Sequence, residues 1–506
     1  MARPFAFVGS RWFVSPTFGS ARAIYTARMD LPLQFPLRVA GQVFDDGPRA
    51  TIRDPWRGDV VGEIVLADAP RAELAAAASA RAFSAMRRLP SFERKRILER
   101  IATAVEREAE PFAVLMAREA AKPIQLTRVE VKRAIATLEL GAEEAGRIGG
   151  EVLALDLTET AAGFAGGYKR VPAGPVIALS PFNFPLNLVC HKLAPAFACG
   201  CPVVLKPAPQ APLTALKLAD VVREAGAPAD AFQVVPCDVS VAEGLVKDER
   251  FATLSFTGSA RVGWHLKAIA GKKRVLLELG GNAAIIVHED ADLAWALGRT
   301  LTSSFAYAGQ ICVKAQRLFV HEAIYESFVS ELAGRTSKLE PQDPLEPSAL
   351  MSGLIDEANA IRVDAWISKA LGAGMDRLAG GLRSGSRVPP TMLAARTPAH
   401  LGLEVVAEEI FGPVLTVHRY ASWPEAIDQA GATRYGLQAG IFTQNLPRVR
   451  EAFEGLSVGG LIVNDSPSFR VDAMPYGGVK DSGLGREGVR YAIDEMTERK
   501  LLVVRS

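Results

Sequence analysis

Four short segments of this sequence carry side chains suited to chemistry. Gly309-Gln310-Ile311-Cys312 places a cysteine in a predicted loop, where a thiol is reachable rather than packed. A cysteine attacks carbon only as the thiolate, so Cys312 needs surroundings that favour that charge. None of the six histidines stands in a recognisable partner motif, which argues against a Cys–His–Asn protease. Glu278, followed by Leu279-Gly280-Gly281-Asn282, puts a carboxylate at a predicted strand end. The two glycines allow a tight turn or the close approach of a ligand. In apolar surroundings such a carboxylate gains proton affinity and suits general-base work. Asn183 lies in Ser180-Pro181-Phe182-Asn183-Phe184-Pro185, between two prolines that stiffen the backbone on both sides. A fixed amide can donate to a developing oxyanion, although asparagine in such loops also serves ordinary turn chemistry. Gly258-Ser259 follows a predicted strand and opens a helix, a pattern that fits a phosphate on free N–H groups or a plain N-cap. It is not the G-x-G-x-x-G fingerprint.

All four segments follow predicted strands. From residue 174 short apolar runs (Val176–Leu179, Val203–Leu205, Phe232–Val235, Thr253–Phe256, Val275–Leu277) alternate with helical patterns near 187–198, 211–225, 240–247 and 260–270. That cadence predicts βαβ units, a parallel sheet and helices on both faces, with ligands beyond the carboxyl ends of the strands. A second α/β segment runs from about 282 to 478, with apolar runs at Ala284–Val287, Leu318–Val320, Val414–Val417, Ala439–Thr443 and Gly460–Val463. Residues 69–150 read as mostly helical, and Ile97, Ile101 and Val105 mark one packing face. Thr127-x-x-Glu130 has the form of a capping box. Residues 380–400 read as a surface connection, and the β-prone tail Lys500–Val504 as a strand for pairing with another subunit.

In this order and spacing the four segments resemble the aldehyde dehydrogenase superfamily, from about residue 35 to the end. Leu205-Lys206-Pro207, Glu408-Glu409-Ile410-Phe411-Gly412-Pro413, Pro475-Tyr476-Gly477-Gly478 and Ser482-Gly-Leu-Gly-Arg-Glu487 extend the match. The resemblance implies an α/β fold. A Rossmann-type parallel-sheet cofactor domain (35–153 and 173–281) joins a second α/β catalytic domain (282–478). A small β bridging element (154–172 and 485–506) and an N-terminal extension (1–34) complete it. It implies that Cys312 is the nucleophile, that Asn183 and the Cys312 N–H form the oxyanion hole, and that Glu278 activates the hydrolytic water. NAD, or NADP, would be held by Ser180, Pro181, Phe182, Lys206, Gly258, Ser259, Leu279, Gly280, Glu409 and Phe411. Many NAD-preferring members carry a glutamate three residues after the lysine; Pro209 stands there instead, which leaves room for a 2′-phosphate. Asn464 to Met474 is similar to the branch containing lactaldehyde and non-phosphorylating glyceraldehyde-3-phosphate dehydrogenases. Arg470 and Arg128 become candidates for reading a short, anionic or hydroxylated aldehyde. Glu278 argues against a member that passes its acyl group to coenzyme A. With Cys312 and Asn183, it also argues against a non-catalytic structural member.

Composition bounds the partners. Of 506 residues 49% are hydrophobic and 23% charged, ordinary for a globular chain of several domains. A balance of 58 basic against 56 acidic residues, with no basic stripe, excludes a general nucleic-acid binder. Five cysteines cannot frame a disulfide scaffold and fit a reducing, cytoplasmic compartment. Cys199-x-Cys201 lacks a second pair at ligand spacing, so no metal is expected. Val171–Cys190 carries no formal charge, but Pro172, Pro175, Pro181 and Pro185 break it as a membrane span. Residues 1–28 contain arginines and no acid, consistent with a transit segment or with a bland extension before Met29. A homodimer or homotetramer is the expected assembly.

Overall fold

The computed structural model describes residues 32–505. The readings of residues 1–28 and of Met29 lie outside them. Leu33–Phe35 is already a strand, parallel to Val60–Val65.

The fold is α/β, built on two parallel sheets. In the first, the strands run Phe232–Val234, Val203–Lys206, Val176–Leu179, Thr253–Thr257, Arg274–Glu278, Gly483–Leu484, all parallel except the last. Their residues are apolar and buried on both faces, as a sheet covered by helices on each side requires. The chain winds outward in both directions from Val176–Leu179, so the strand order reverses between that strand and Thr253–Thr257. The loops that leave these two strands, Ser180–Pro185 and Gly258–Ser259, flank this switch point, where α/β sheets bind ligands. The second sheet runs Asp376–Ala379, Thr391–Ala394, Val414–Tyr420, Ala315–His321, Ala283–Val287, Gln438–Phe442, Gly460–Val463. Only its first strand is antiparallel. Thr391–Ala394 corrects one expectation: within the stretch read as a surface connection lies a fully buried strand. It is too short to show a period, and Pro389 and Pro390 disguise its start.

Helices Ala69–Met86, Ser91–Arg107, Ala109–Ala120 and Ile124–Ala145 pack on the first sheet, and Ile97, Ile101 and Val105 face its core. Among the described residues no helix is long and apolar enough to cross a membrane. The segment Val171–Cys190 is instead the end of a strand, a second strand, a loop and the start of helix Asn187–Cys199. A third sheet joins Gly150–Leu153, Phe164–Pro172 and Thr497–Arg505. The tail therefore pairs within its own chain on one side, while Leu501, Leu502, Val503 and Val504 stay exposed.

The capping-box expectation is also corrected. Helix Ile124–Ala145 begins just after Pro123, so Thr127 and Glu130 lie inside it. Thr127 bonds back to the Ile124 carbonyl. Glu130 is turned inward, where it accepts from Lys122 Nζ (2.5 Å) and from the backbone N–H groups of Leu186 (2.9 Å) and Asn187 (3.0 Å). Lys122 in turn donates to the Asn183 carbonyl (2.9 Å) and sits 3.4 Å from the centre of the Phe184 ring. A fully buried ion pair thus holds the Ser180–Pro185 loop against helix Ile124–Ala145. Removing one partner of such a pair strands a buried charge and costs about 3–5 kcal/mol. Glu130→Ala should lower the denaturant midpoint accordingly, and Lys122→Met combined with Glu130→Leu should recover much of the loss.

Candidate active site

The two sheets meet at Cys312. Helix Leu293–Phe305 ends in a kink where Tyr307 and Ala308 both take φ of +52°, followed by Gly309 at +70°. Left-handed residues other than glycine are strained and persist only where their surroundings hold them. Here Tyr307 N–H donates to Leu350 O (3.0 Å) and Tyr307 Oη to Ala120 O (3.1 Å). A Cβ at Gly309 would lie 2.2 Å from Gly412 O, so only glycine lets these two backbones touch. Cys312 emerges just before strand Ala315–His321. It is partly exposed, whereas the other four cysteines are buried. Desolvation pushes its thiol up to about 11. A hydrogen bond with Tyr476 Oη, 3.0 Å from Sγ, works against that rise.

Asn183 and Glu278 come to the same place from the first sheet. Asn183 is buried and donates through Nδ2 to Gln310 O (3.0 Å), two residues before Cys312. One amide N–H is thereby spent on the cysteine loop. Glu278 ends strand Arg274–Glu278, and Gly281, three residues on, backs against Cys312: a Cβ there would lie 2.5 Å from the Cys312 carbonyl. Glu278 is 4% exposed, and neither carboxyl oxygen has a hydrogen-bond partner. Burial, reinforced by the charge of Glu487, raises its proton affinity well above the carboxylate range.

Glu487 belongs to a buried cluster that sequence reasoning did not single out. It accepts from Arg470 (3.1 Å) and Lys192 (3.4 Å). Burial disfavours its charge, but Lys192, His191 and Arg470 outweigh burial and lower its proton affinity. Asp472 accepts from His191 (2.8 Å) and, through both oxygens, from Arg133 (3.0 and 2.6 Å). Arg470 donates to Glu487 and approaches His191 Nε2 (3.2 Å), and its guanidinium lies 3.7 Å over the Tyr476 ring. Arg133, Arg470 and Lys192 therefore face Glu487 and Asp472, beside a Glu278 whose proton affinity burial raises. Arg128, one sequence candidate, makes a two-point ion pair with Glu110 (3.0 and 2.6 Å). Arg133, farther along the same helix, is the arginine that reaches the cluster. The Arg–x–Asp pattern of Arg470 and Asp472 was the available signal.

The residues expected to hold the cofactor stand at strand ends of the first sheet or, like Glu409 and Phe411, approach it from the second. Ser259 precedes helix Ala260–Ile269, whose first N–H groups have no side-chain cap, and Ser259 itself is exposed. A Cβ at Gly263 would meet Leu279 at 2.3 Å, so this helix lies close against the sheet. The N–H of Gly258 is held by Glu278 O (3.0 Å), and Ser180 N–H by Lys206 O (3.2 Å). Lys206 is partly exposed at its strand end, and desolvation lowers its proton affinity; Pro209 lies in an exposed turn beyond it. From the second sheet, Glu409 accepts from Gly281 N–H (3.1 Å), and a Cβ at Gly280 would strike its carboxyl. Burial raises Glu409 to about 7. Phe411, at φ +46°, meets Phe182 edge to face at 5.8 Å, closing the seam beside Pro181. An uncapped helix start, a lysine and an exposed hydroxyl suit a dinucleotide.

Among the described residues His288, Glu289 and His321 bring ligand-type atoms within 4.8 Å of one another. They lie past the far ends of their strands from Cys312. His288 Nδ1 accepts from the Glu289 N–H, and its ring stacks on Trp423, so the group is accounted for as an aromatic cluster.

Comparison with known proteins identifies the family. The family model described as "Aldehyde dehydrogenase family" matches residues 44–502. The 3-sulfolactaldehyde dehydrogenase of Priestia aryabhattai is 42% identical over 414 residues, 82% of this chain and 86% of that protein. Aldehyde dehydrogenase 21 of Physcomitrella patens, solved with its reaction product succinate, is 40% identical, covering 94% of this chain and 98% of that one, with a TM-score of 0.91. The glyceraldehyde-3-phosphate dehydrogenase GapN of Methanocaldococcus jannaschii, solved with NADP, is 34% identical, covering 92% and 100%, with a TM-score of 0.87.

The state of Glu278 is testable through stability. A carboxyl that holds its proton more tightly when folded makes stability fall as pH rises above the unfolded value of about 4.3. Glu278→Gln removes that penalty. The melting temperature of the variant should match the wild type near pH 4 and exceed it increasingly toward pH 8, as scanning calorimetry would show.

Proposed function

The chain belongs to the aldehyde dehydrogenase family and is an oxidoreductase of that class, and from that premise we propose that it oxidises a short anionic aldehyde to the acid through covalent catalysis at Cys312, with NAD or NADP. The observation that carries the proposal is the convergence of a reachable thiol, a buried amide and an unpartnered carboxyl on one stretch of main chain. Cys312 Sγ adds to the aldehyde carbon. The oxygen gains charge as it does so, and Asn183 Nδ2 and the Cys312 N–H are the donors for it. Lys206 and Ser259 would hold the adenosine ribose and pyrophosphate of the dinucleotide, and Glu409 and Phe411 its nicotinamide ribose and ring; the bound cofactor would accept the hydride lost from the aldehyde carbon, which leaves a thioester on Cys312. Glu278 then takes a proton from the water that opens the Cys312 thioester, releasing the acid and restoring the thiol. Its raised proton affinity makes it a stronger base once ionised. The same residue supports hydrolysis over transfer to coenzyme A.

Arg470, beside the cysteine loop through Tyr476, is the proposed reader of the substrate anion, with Arg133 as its neighbour and Arg128, on the same helix as Arg133 but turned toward Glu110, as the second candidate. Buried guanidinium beside the reacting sulfur favours a carboxylate, phosphate or sulfonate over a plain alkanal. Relatives that include a 3-sulfolactaldehyde dehydrogenase and an aldehyde dehydrogenase solved with succinate support that class. Pro209 supports tolerance of a 2′-phosphate. The exposed outer edge of Thr497–Arg505 supports a homodimer or homotetramer assembled along it. The free thiols fit the cytoplasm.

Reduced-nicotinamide absorbance with succinic semialdehyde, glyceraldehyde 3-phosphate, lactaldehyde and propanal, each with NAD and NADP, tests this reading. Turnover should vanish in Cys312→Ala, and Glu278→Gln should release one equivalent of reduced nicotinamide and stall. A charged hydrogen bond is worth about 1.5–3 kcal/mol. Arg470→Met should therefore lower kcat/KM for anionic over neutral aldehydes by roughly 10–100-fold. An unchanged ratio would remove Arg470 from substrate recognition.

A further inference from the structure

Tyr476 is built around the reacting sulfur more tightly than packing alone requires. Its backbone is tied on both sides to Glu487: the Tyr476 N–H donates to Glu487 O (3.0 Å), and the Glu487 N–H to Tyr476 O (2.6 Å). Its ring is buried among Val313, Leu437 and the stem of the Cys312 loop. One ring face lies under the Arg470 guanidinium, 3.7 Å away. Gly477, next in the chain, passes so close to Glu278 that a Cβ would sit 2.7 Å from its Oε1. Phenylalanine would fill the same volume. The hydroxyl is the only atom that distinguishes tyrosine here, and it lies 3.0 Å from Cys312 Sγ.

We propose that Tyr476 is a catalytic residue whose phenol O–H donates to the Cys312 thiolate, holding the sulfur in place and making the thiol easier to ionise. The proposal rests on Cys312 being the nucleophile. Between a thiol and a phenol either oxygen or sulfur can give the hydrogen; once the thiol has lost its proton, only the phenol can. Tyr476 keeps that proton at neutral pH, because burial and then the neighbouring sulfur push its phenol well above the ordinary value. A hydrogen bond to the charged form favours that form, and bonds to an ionised acceptor are stronger than neutral ones. A cation over the ring face draws electron density from it, which makes the hydroxyl a better donor. Glu409 and Glu278 also face the sulfur and raise its proton affinity, and Arg470 lowers it. Without Tyr476 Oη, desolvation would stand opposed mainly by Arg470.

The experiment is the pH profile of iodoacetamide alkylation of the full-length protein between pH 6 and 11, with the Cys312 peptide followed by mass spectrometry. Wild type, Tyr476→Phe and Cys312→Ala are compared, with cofactor binding as the control for fold. The Tyr476→Phe profile should move up by one unit or more, so that alkylation at pH 7.5 slows about tenfold or more. Superimposable profiles would overturn the proposal. If Tyr476→Phe fails to bind cofactor, replacing Tyr476 with 3-fluorotyrosine, a stronger donor, should move the profile downward; no movement would overturn the proposal equally. Turnover persisting in Cys312→Ala would instead overturn the nucleophile assignment on which the proposal depends, a result the alkylation profiles cannot mimic.

Discussion

Glu278 and Glu487 share a buried space, and their surroundings push their proton affinities in opposite directions. That of Glu487 is lowered because Lys192 and Arg470 stand against it and donate to it. Among the described residues Glu278 has no donor, and burial raises its proton affinity. When two like groups are pushed apart in this way, their environments suit them to separate roles, one as a fixed counter-ion and the other as the proton carrier proposed above. The rest of the site follows from that division. Arg470 is held in place by the ionised partner, Tyr476 is positioned by the backbone pair with Glu487, and Tyr476 reaches Cys312. Neutralising Glu487 would leave Lys192 and Arg470 without their shared acceptor and return charge to Glu278.

The site is a seam, and each sheet supplies half of it. Asn183, Glu278 and Ser259 leave the carboxyl ends of strands in the first sheet; Cys312, Glu409 and Phe411 come from connections of the second. Three contacts close the seam: Asn183 to the Gln310 carbonyl, Gly281 N–H to Glu409, and Phe182 against Phe411. Two of them use left-handed or glycine backbone, at Phe411 and around Gly309, where strain is stored next to the reacting atoms. The buried Lys122–Glu130 pair fixes one lip of the seam from behind.

Much of this was legible in the sequence, for a physical reason. Strands buried on both faces read as apolar runs, and the functional loops stand directly after them, so Asn183, Ser259 and Glu278 announce themselves by position. Cys312 stood out because its neighbours are Gly and Gln rather than an apolar helix. What was hidden depends on contacts between residues far apart in the chain. Glu130 has a capping-box spacing, and only the fold shows that its partners are Lys122 and the N–H groups of Leu186 and Asn187. Thr391–Ala394 is too short to carry a period. Arg128 and Arg133 differ by a little more than one helical turn, which sends one toward Glu110 and the other toward Asp472; without a partner in view neither direction can be read. Tyr476 lay in plain sight within Pro-Tyr-Gly-Gly, but its hydroxyl acquires meaning only 3.0 Å from sulfur.

The same electrostatics ties substrate recognition to the timing of proton transfer. Lys192, Arg133 and Arg470 outnumber Glu487 and Asp472, an excess of basic side chains that suits the anion proposed above. An anion bound there would offset that excess and raise the proton affinity of Glu278 further. In the proposed mechanism Cys312 has the opposite need, since its thiolate would form near the same anion. A hydrogen bond from a neutral donor resolves this conflict, because it favours the thiolate without adding charge that the substrate would compete for. Arg470 can then belong to the substrate while the phenol of Tyr476 belongs to the sulfur. This separation explains why a hydroxyl, and not a further cation, stands closest to Cys312.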